Sequence, residues 1–244
     1  MILSAQHHGM YSCITMSSPL ITTSLPEAVY NALRESIVTV QEAPGSLLTE
    51  TAIAERYGVA RPTAKAALER LVSEGLLVRQ AHRAARVPEL SRDDIEDLYS
   101  NRAIVEEAAL RGLAATGVVP PRASAIQREL LEYARVDDAA PFVRADVAFH
   151  RELVLGQHSA RLARMHALLM GEIELCIGQV QSHRLLKAHQ VAEQHQGILD
   201  AVTAGDVDLA GRLTREHIEG ARDRLLRHLD AESTTPTDRK SDLR

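Results

Sequence analysis

The chain has 244 residues, a formal net charge of −5, 25% charged side chains, 3% aromatics and no tryptophan. Its two cysteines, Cys13 and Cys176, make no disulfide framework, and no stretch is apolar for the roughly 20 residues a membrane span needs. A disulfide scaffold and a membrane protein are thereby excluded, a reducing cytoplasmic setting is expected, and Leu, Ala, Val and Ile must build the cores, which favours helices.

Residues 1–23 have neither a basic segment nor a continuous apolar core and read as a disordered extension, not a signal peptide. From residue 24 the pattern becomes periodic. Leu25, Val29, Leu33 and Ile37 mark an amphipathic helix behind Ser24 and Pro26, which the Pro44-Gly45 pair closes off. Thr49 is placed to cap a short helix through Ile53, Ala54 and Tyr57, and Gly58 turns the chain into a third. On that third helix Ala64, Ala67, Leu68 and Leu71 form one buried stripe, while Pro62, Lys65, Ala66 and Glu69 face away and Arg61 sits at the edge. Gly75 ends it, and Leu76, Leu77 and Val78 begin a small hairpin that carries Arg79, His82, Arg83 and Arg86.

Three short helices with a basic third one and a hairpin behind it suit the major groove of DNA. Between residues 56 and 86 seven basic residues face two acidic ones, a local surplus of five in an acidic chain.

The segment PGSLLTE at 44–50, followed by GVARPTAKAALERL at 58–71 and SEGLLVR at 73–79, resembles the winged helix-turn-helix of the GntR family of bacterial transcription regulators over roughly residues 24–88. The resemblance implies that Arg61 and Lys65 reach phosphates and base edges, that Thr51 and Thr63 contact the DNA backbone, and that His82 and Arg83 lie at the wing tip in the minor groove. Three positions depart from the family pattern. Ala60 stands where a capping Ser or Thr is usual, Lys65 replaces the usual arginine, and the wing has His82 to Ala85 in place of its glycine. The missing cap is expected to cost the helix about 1 kcal/mol.

After a linker at 87–91 the chain reads as helix to about residue 230, with breaks near 117–121, 137–141, 158–159, 182 and 205. Six helices fit those breaks. The polar tail at 231–244 is expected to be disordered.

Charged side chains occupy inward positions in this second domain. Arg102 and Glu106 lie a turn apart within the stripe of Ile95, Leu98, Tyr99, Ala109 and Leu113. Asp146 and His150, also a turn apart, centre the stripe of Phe142, Val143, Phe149 and Leu153. His195 and His217 lie among apolar neighbours on the last two helices, ten residues before and twelve after Gly205. At 1.5 Å per residue that is roughly 15 and 18 Å, so an antiparallel hairpin brings the two level. Burying such groups is expensive without a partner, and three imidazoles with one carboxylate are common donors to a divalent metal. His7, His8, His158, His166, His183 and His189 read as surface or loop residues, and His228 lies three turns from His217.

These stretches extend the resemblance to the all-helical effector domain of the FadR-type branch, the FCD domain, in a six-helix, VanR-like and metal-binding form. It implies a homodimeric repressor, or alternatively an activator, without enzymatic activity, whose operator affinity responds to a small organic acid. The acid would bind at a metal, zinc or alternatively nickel, manganese or iron, held by Asp146, His150, His195 and His217, with Arg102 and Glu106 contacting the acid; the alternative for these last two is a structural i,i+4 pair. A sensor of the metal itself and a metal-dependent hydrolase are the competing readings. The expected fold is mainly α: a winged helix-turn-helix at 24–88 and a six-helix bundle at 91–230.

Overall fold

The computed structural model describes residues 24–80, 83–182 and 187–234, so the expected disorder of 1–23 and the wing-tip role of His82 fall outside the described residues. The head begins with α1 (Leu25–Val38), β1 (Leu47–Leu48), α2 (Glu50–Tyr57), α3 (Arg61–Ser73) and β2 (Ala85–Arg86). The helical part follows as α4 (Arg92–Thr116), α5 (Pro121–Arg135), α6 (Ala139–Leu155), α7 (Ala160–Ser182), α8 (Ala188–Thr203) and α9 (Val207–Thr234). The last helix therefore continues past residue 230 to Thr234, and the rest of the tail expected to be disordered, 235–244, is not described.

Local chemistry explains the head. Ser24 caps α1 through the Glu27 amide, and Thr49 caps α2 by accepting from the Ala52 amide at 3.1 Å. Gly58 ends α2 in the left-handed conformation at φ +61°, which glycine adopts without Cβ strain. Ala60 gives α3 no side-chain cap, as its methyl group dictates. Ala64, Ala67, Leu68 and Leu71 are buried against Val29, Leu33, Ile37 and Ile53. The hairpin differs from the sequence expectation. Val78 pairs with Arg86 only as an isolated bridge, and the two-residue partner of β2 is β1, in antiparallel register with Leu47 opposite Arg86 and Leu48 opposite Ala85.

In the helical part α4 starts at a reciprocal Ser91–Asp94 capping box and packs against α6, α7, α8 and α9. One core lies among α4, α5, α6 and α8, and a second among α4, α7 and α9.

The head rests directly on α7. Leu175 joins the apolar core of the head, Arg34 of α1 pairs with the buried Glu174 at 2.5 Å, and α7 crosses the end of α3 at Gly171. A Cβ at Gly171 would lie 1.7 Å from the Glu74 carbonyl oxygen, which is backbone and has no side-chain torsion through which to yield. Gly171→Ala is therefore expected to push head and helices apart and cost about 1–3 kcal/mol, read by chemical denaturation and by faster proteolysis near residues 87–91. Unchanged stability and cleavage would mean that the two parts do not meet at this point in solution.

Candidate metal centre and DNA face

Three helices deliver the polar cluster. The one-turn spacing on α6 sets Asp146 and His150 on one face, and the hairpin of α8 and α9, turned at Gly205 with φ +72°, brings His195 level with His217. All four side chains lie among apolar neighbours, and His195 is completely buried.

The Nε2 atoms of His195 and His217 are 3.3 Å apart, and Asp146 Oδ1 is 3.5 Å from His195 Nε2 and 4.0 Å from His150 Nε2. A nitrogen from each of His150, His195 and His217 lies within 4.8 Å of the others. Nitrogens bound at about 2.0–2.1 Å to one tetrahedral ion stand about 3.3 Å apart, so the cluster has the right span to hold one.

Orientation favours the same reading. His150 Nδ1 donates to Glu106 Oε2 at 2.6 Å, and His217 Nδ1 donates to Gln194 Oε1 at 3.0 Å, so each ring turns the lone pair of Nε2 inward. His195 stacks on Phe149 with centroids 4.2 Å apart. Among the described residues, Asp146 Oδ1 and His150 Nε2 are buried without a hydrogen-bond partner, the condition a bound cation would relieve. Burial holds the pKa values of His195 and His217 well below 6.5, so both imidazoles are neutral, the form that could hold a metal, while burial raises that of Asp146.

Arg102 and Glu106 form a buried pair at 2.7 Å, and their surroundings differ. A cavity of about 40 Å³ is lined by Tyr99, Arg102, Val143, Asp146, His217 and Arg224, among others, and Arg102 Nη2 is buried with no partner. Glu106 is absent from that lining. It is completely buried, and its oxygens accept from Arg102, His150 and His166, an arrangement suited to supporting His150 instead of touching an effector. Burial by itself would raise Glu106, yet Arg102 with His150 and His166 overrides that and holds its pKa well below 4.5.

His166, expected at the surface, is 2% exposed and lies 3.0 Å from Glu106 Oε1. Gln194 was likewise missed, although it immediately precedes His195 in the sequence.

On the head, Thr51, Arg61, Lys65 and Arg83 are exposed and Thr63 is half-buried. The basic surplus is smaller than the local tally. Arg56 pairs with Glu42, Arg70 with Glu27 and Glu74, and Arg79 with Glu50, carboxylates mostly outside the 56–86 window. Arg70 also lies over the Tyr30 ring at 3.6 Å. Among the described residues Arg61, Arg83 and Arg86 remain clear of carboxylates, and Lys65 is held only by Glu69 at 3.6 Å.

Comparison with known proteins agrees with this architecture. Residues 25–87 match the bacterial regulatory proteins of the gntR family, and residues 97–220 match the FCD domain. The HTH-type transcriptional regulator BphR of Paraburkholderia xenovorans is 30% identical over 206 residues, 81% of this chain and 84% of its own. The HTH-type transcriptional repressor NanR of Citrobacter rodentium is 26% identical over 220 residues, 82% of this chain and 85% of its own. A crystal structure of a GntR transcriptional regulator from Rhodococcus sp. RHA1 superposes with a TM-score of 0.67 at 26% identity, covering 82% of this chain and 97% of that one. The hydrolase alternative falls with these matches, because the family and the relatives are regulators. A winged head with an exposed basic helix, joined to an FCD bundle, places the chain in the GntR family of bacterial transcription regulators, DNA-binding proteins and not enzymes.

Proposed function

We propose that the chain is a homodimeric cytoplasmic repressor whose operator affinity is set by a small organic acid bound beside a divalent metal, zinc or a neighbour such as nickel, manganese or iron. The observation that carries this reading is the convergence of His150, His195, His217 and Asp146, buried, with inward-turned nitrogens and an unpaired carboxylate oxygen. The ion would supply a fixed positive anchor for a carboxylate. Arg102, with one guanidinium nitrogen unpartnered, orients that carboxylate from the cavity wall, and Glu106 holds both Arg102 and His150 in place.

A route to the head supports regulation. Glu106 bonds His166 of α7, and the same helix carries Gly171, Glu174 and Leu175 at the joint with the head. A shift of α7 therefore acts on the spacing of the recognition helices, by no more than the difference in the effector's affinity for the two arrangements. Dimerisation is supported by apolar side chains left open on α4 and α7: Ile104 is 59%, Met165 55% and Leu168 58% exposed. Two copies would set two α3 helices into successive major grooves.

Titrating metal-free protein with zinc, with and without small acids, while operator binding is followed by fluorescence anisotropy, tests the reading. An acid-dependent change in the zinc-loaded protein supports it. A response to zinc alone favours the metal-sensor alternative, and no response to either refutes both. For the DNA face, Arg61→Ala and Lys65→Ala are each expected to weaken operator binding by about 1–3 kcal/mol and to flatten its salt dependence by about one unit of slope if the lost contact is to phosphate. Both side chains are exposed, so melting temperature should not move; binding within twofold of the parent would remove α3 from the interface.

A further inference from the structure

The cavity wall carries a second arginine that the metal reading leaves unused. Arg224 is half-buried on α9, seven residues beyond His217 and so two turns along the same face. Among the described residues it forms no ion pair: the adjacent Asp223 is held by Arg222 at 2.9 Å, and Asp146 reaches it only as a longer-range attraction. Burial lowers the pKa of its guanidinium, and the neighbouring Arg227 adds repulsion, so its charge is carried at a cost that an anion would relieve.

The charges around the cavity can be counted. Arg102 and Arg224 carry two positive charges and Glu106 and Asp146 two negative ones, so the side chains alone sum to zero although only Arg102 has a paired carboxylate. A divalent cation adds two positive charges to a mostly buried space. An acid with one carboxylate returns one of them, and an acid with two returns both; uncompensated buried charge is what such interiors avoid. About 40 Å³ holds roughly three water-sized groups, room for one carboxylate, so the rest of a four-carbon acid would have to extend beyond the cavity along its half-buried Arg224 wall.

Resting on the metal-and-acid reading above, we infer that the effector is a short dicarboxylic acid, with one carboxylate on the metal side beside Arg102 and the other taken by Arg224. Arg224 is then the residue that selects a second negative charge.

The test uses the full-length, zinc-loaded protein and two probes with the same hydroxy-acid head, lactate and malate, which differ by one carboxylate. Calorimetric titration should give malate at least about tenfold tighter binding than lactate, the scale of one hydrogen-bonded charge pair. Zinc retained by the chain is measured in each mixture. In Arg224→Gln the two acids should bind within about twofold of each other, and Arg224→Lys should recover part of the preference. Equal binding of the two acids by the parent chain, or a malate preference that survives in Arg224→Gln, overturns this inference alone. Zinc uptake with no binding of either acid overturns it together with the reading on which it rests.

Discussion

Replacing Glu106 with alanine is expected to lower the stability of the chain by about 3–5 kcal/mol, the usual scale when one partner of a buried ion pair is removed. The side chain is completely buried and serves three donors at once: Arg102 Nε at 2.7 Å, His150 Nδ1 at 2.6 Å and His166 Nε2 at 3.0 Å. Its loss leaves the Arg102 charge uncompensated and two imidazoles without their acceptor, so the cost exceeds that of a cavity. Glu106→Gln separates charge from shape, since it can still accept a hydrogen bond but no longer balances Arg102. It should fall between the parent and Glu106→Ala in urea unfolding. The pH dependence has a definite sign. The folded-state pKa of Glu106 lies below its ordinary 4.5, so its stabilisation is complete above about pH 4.5 and is lost as pH falls through the folded value. The gap between the parent and Glu106→Ala must therefore narrow in acid. A constant gap down to low pH, or a change under 1 kcal/mol at neutral pH, would show that the carboxylate is not the hub of this network.

What could be read in advance, and what could not, follows from how far each feature reaches along the chain. The α3 stripe and the levelling of His195 with His217 are helical periodicity and counting about one turn, and both are local. The pairing of β2 with β1 joins residues about 40 apart through two-residue strands, too short to show any alternation. His166 misled for a different reason. On α7 the buried Met170, Ile173 and Ile177 set the inner face, and His166 falls on it one turn earlier, while Met165 and Leu168 beside it are exposed. Apolar side chains on both sides of the imidazole blur the stripe at this end of the helix, and its buried partner, Glu106, lies 60 residues earlier. The contact of Gly171 with Glu74 was equally hidden, since a helix glycine looks merely unfavourable until the other chain segment is seen to need its space. The charge tally on the head erred in the opposite sense: a window of sequence counts arginines but not the carboxylates that reach them from α1, from the α1–α2 connection and from the start of α2.

Adding zinc to metal-free protein should raise its stability by about 2.7 kcal/mol when free metal stands at 100 times its Kd, and His195→Ala should abolish nearly all of that gain. His195 sits at the centre of the cluster, 3.3 Å from His217 Nε2 and 3.5 Å from Asp146 Oδ1, so its removal leaves a gap that the remaining donors cannot close without moving helices. Affinity for the ion should fall by more than about 100-fold, beyond what loss of an outer supporting contact costs. His189→Ala, on the same helix but largely exposed, should behave as the parent, which separates a specific site from casual histidine binding. Acid supplies an independent check. Burial depresses His195 and His217, so in the metal-free chain their neutral forms support folding fully above about pH 6.5, and that support is lost as pH drops below it toward the folded values. Protons and metal compete for the same nitrogens, so the zinc-induced shift in melting temperature must shrink over the same range. If zinc, nickel, manganese and iron(II) all leave the parent unshifted, or if His195→Ala responds as the parent does, the four side chains are packed for structure alone and the cavity beside them has no ion to present to an acid.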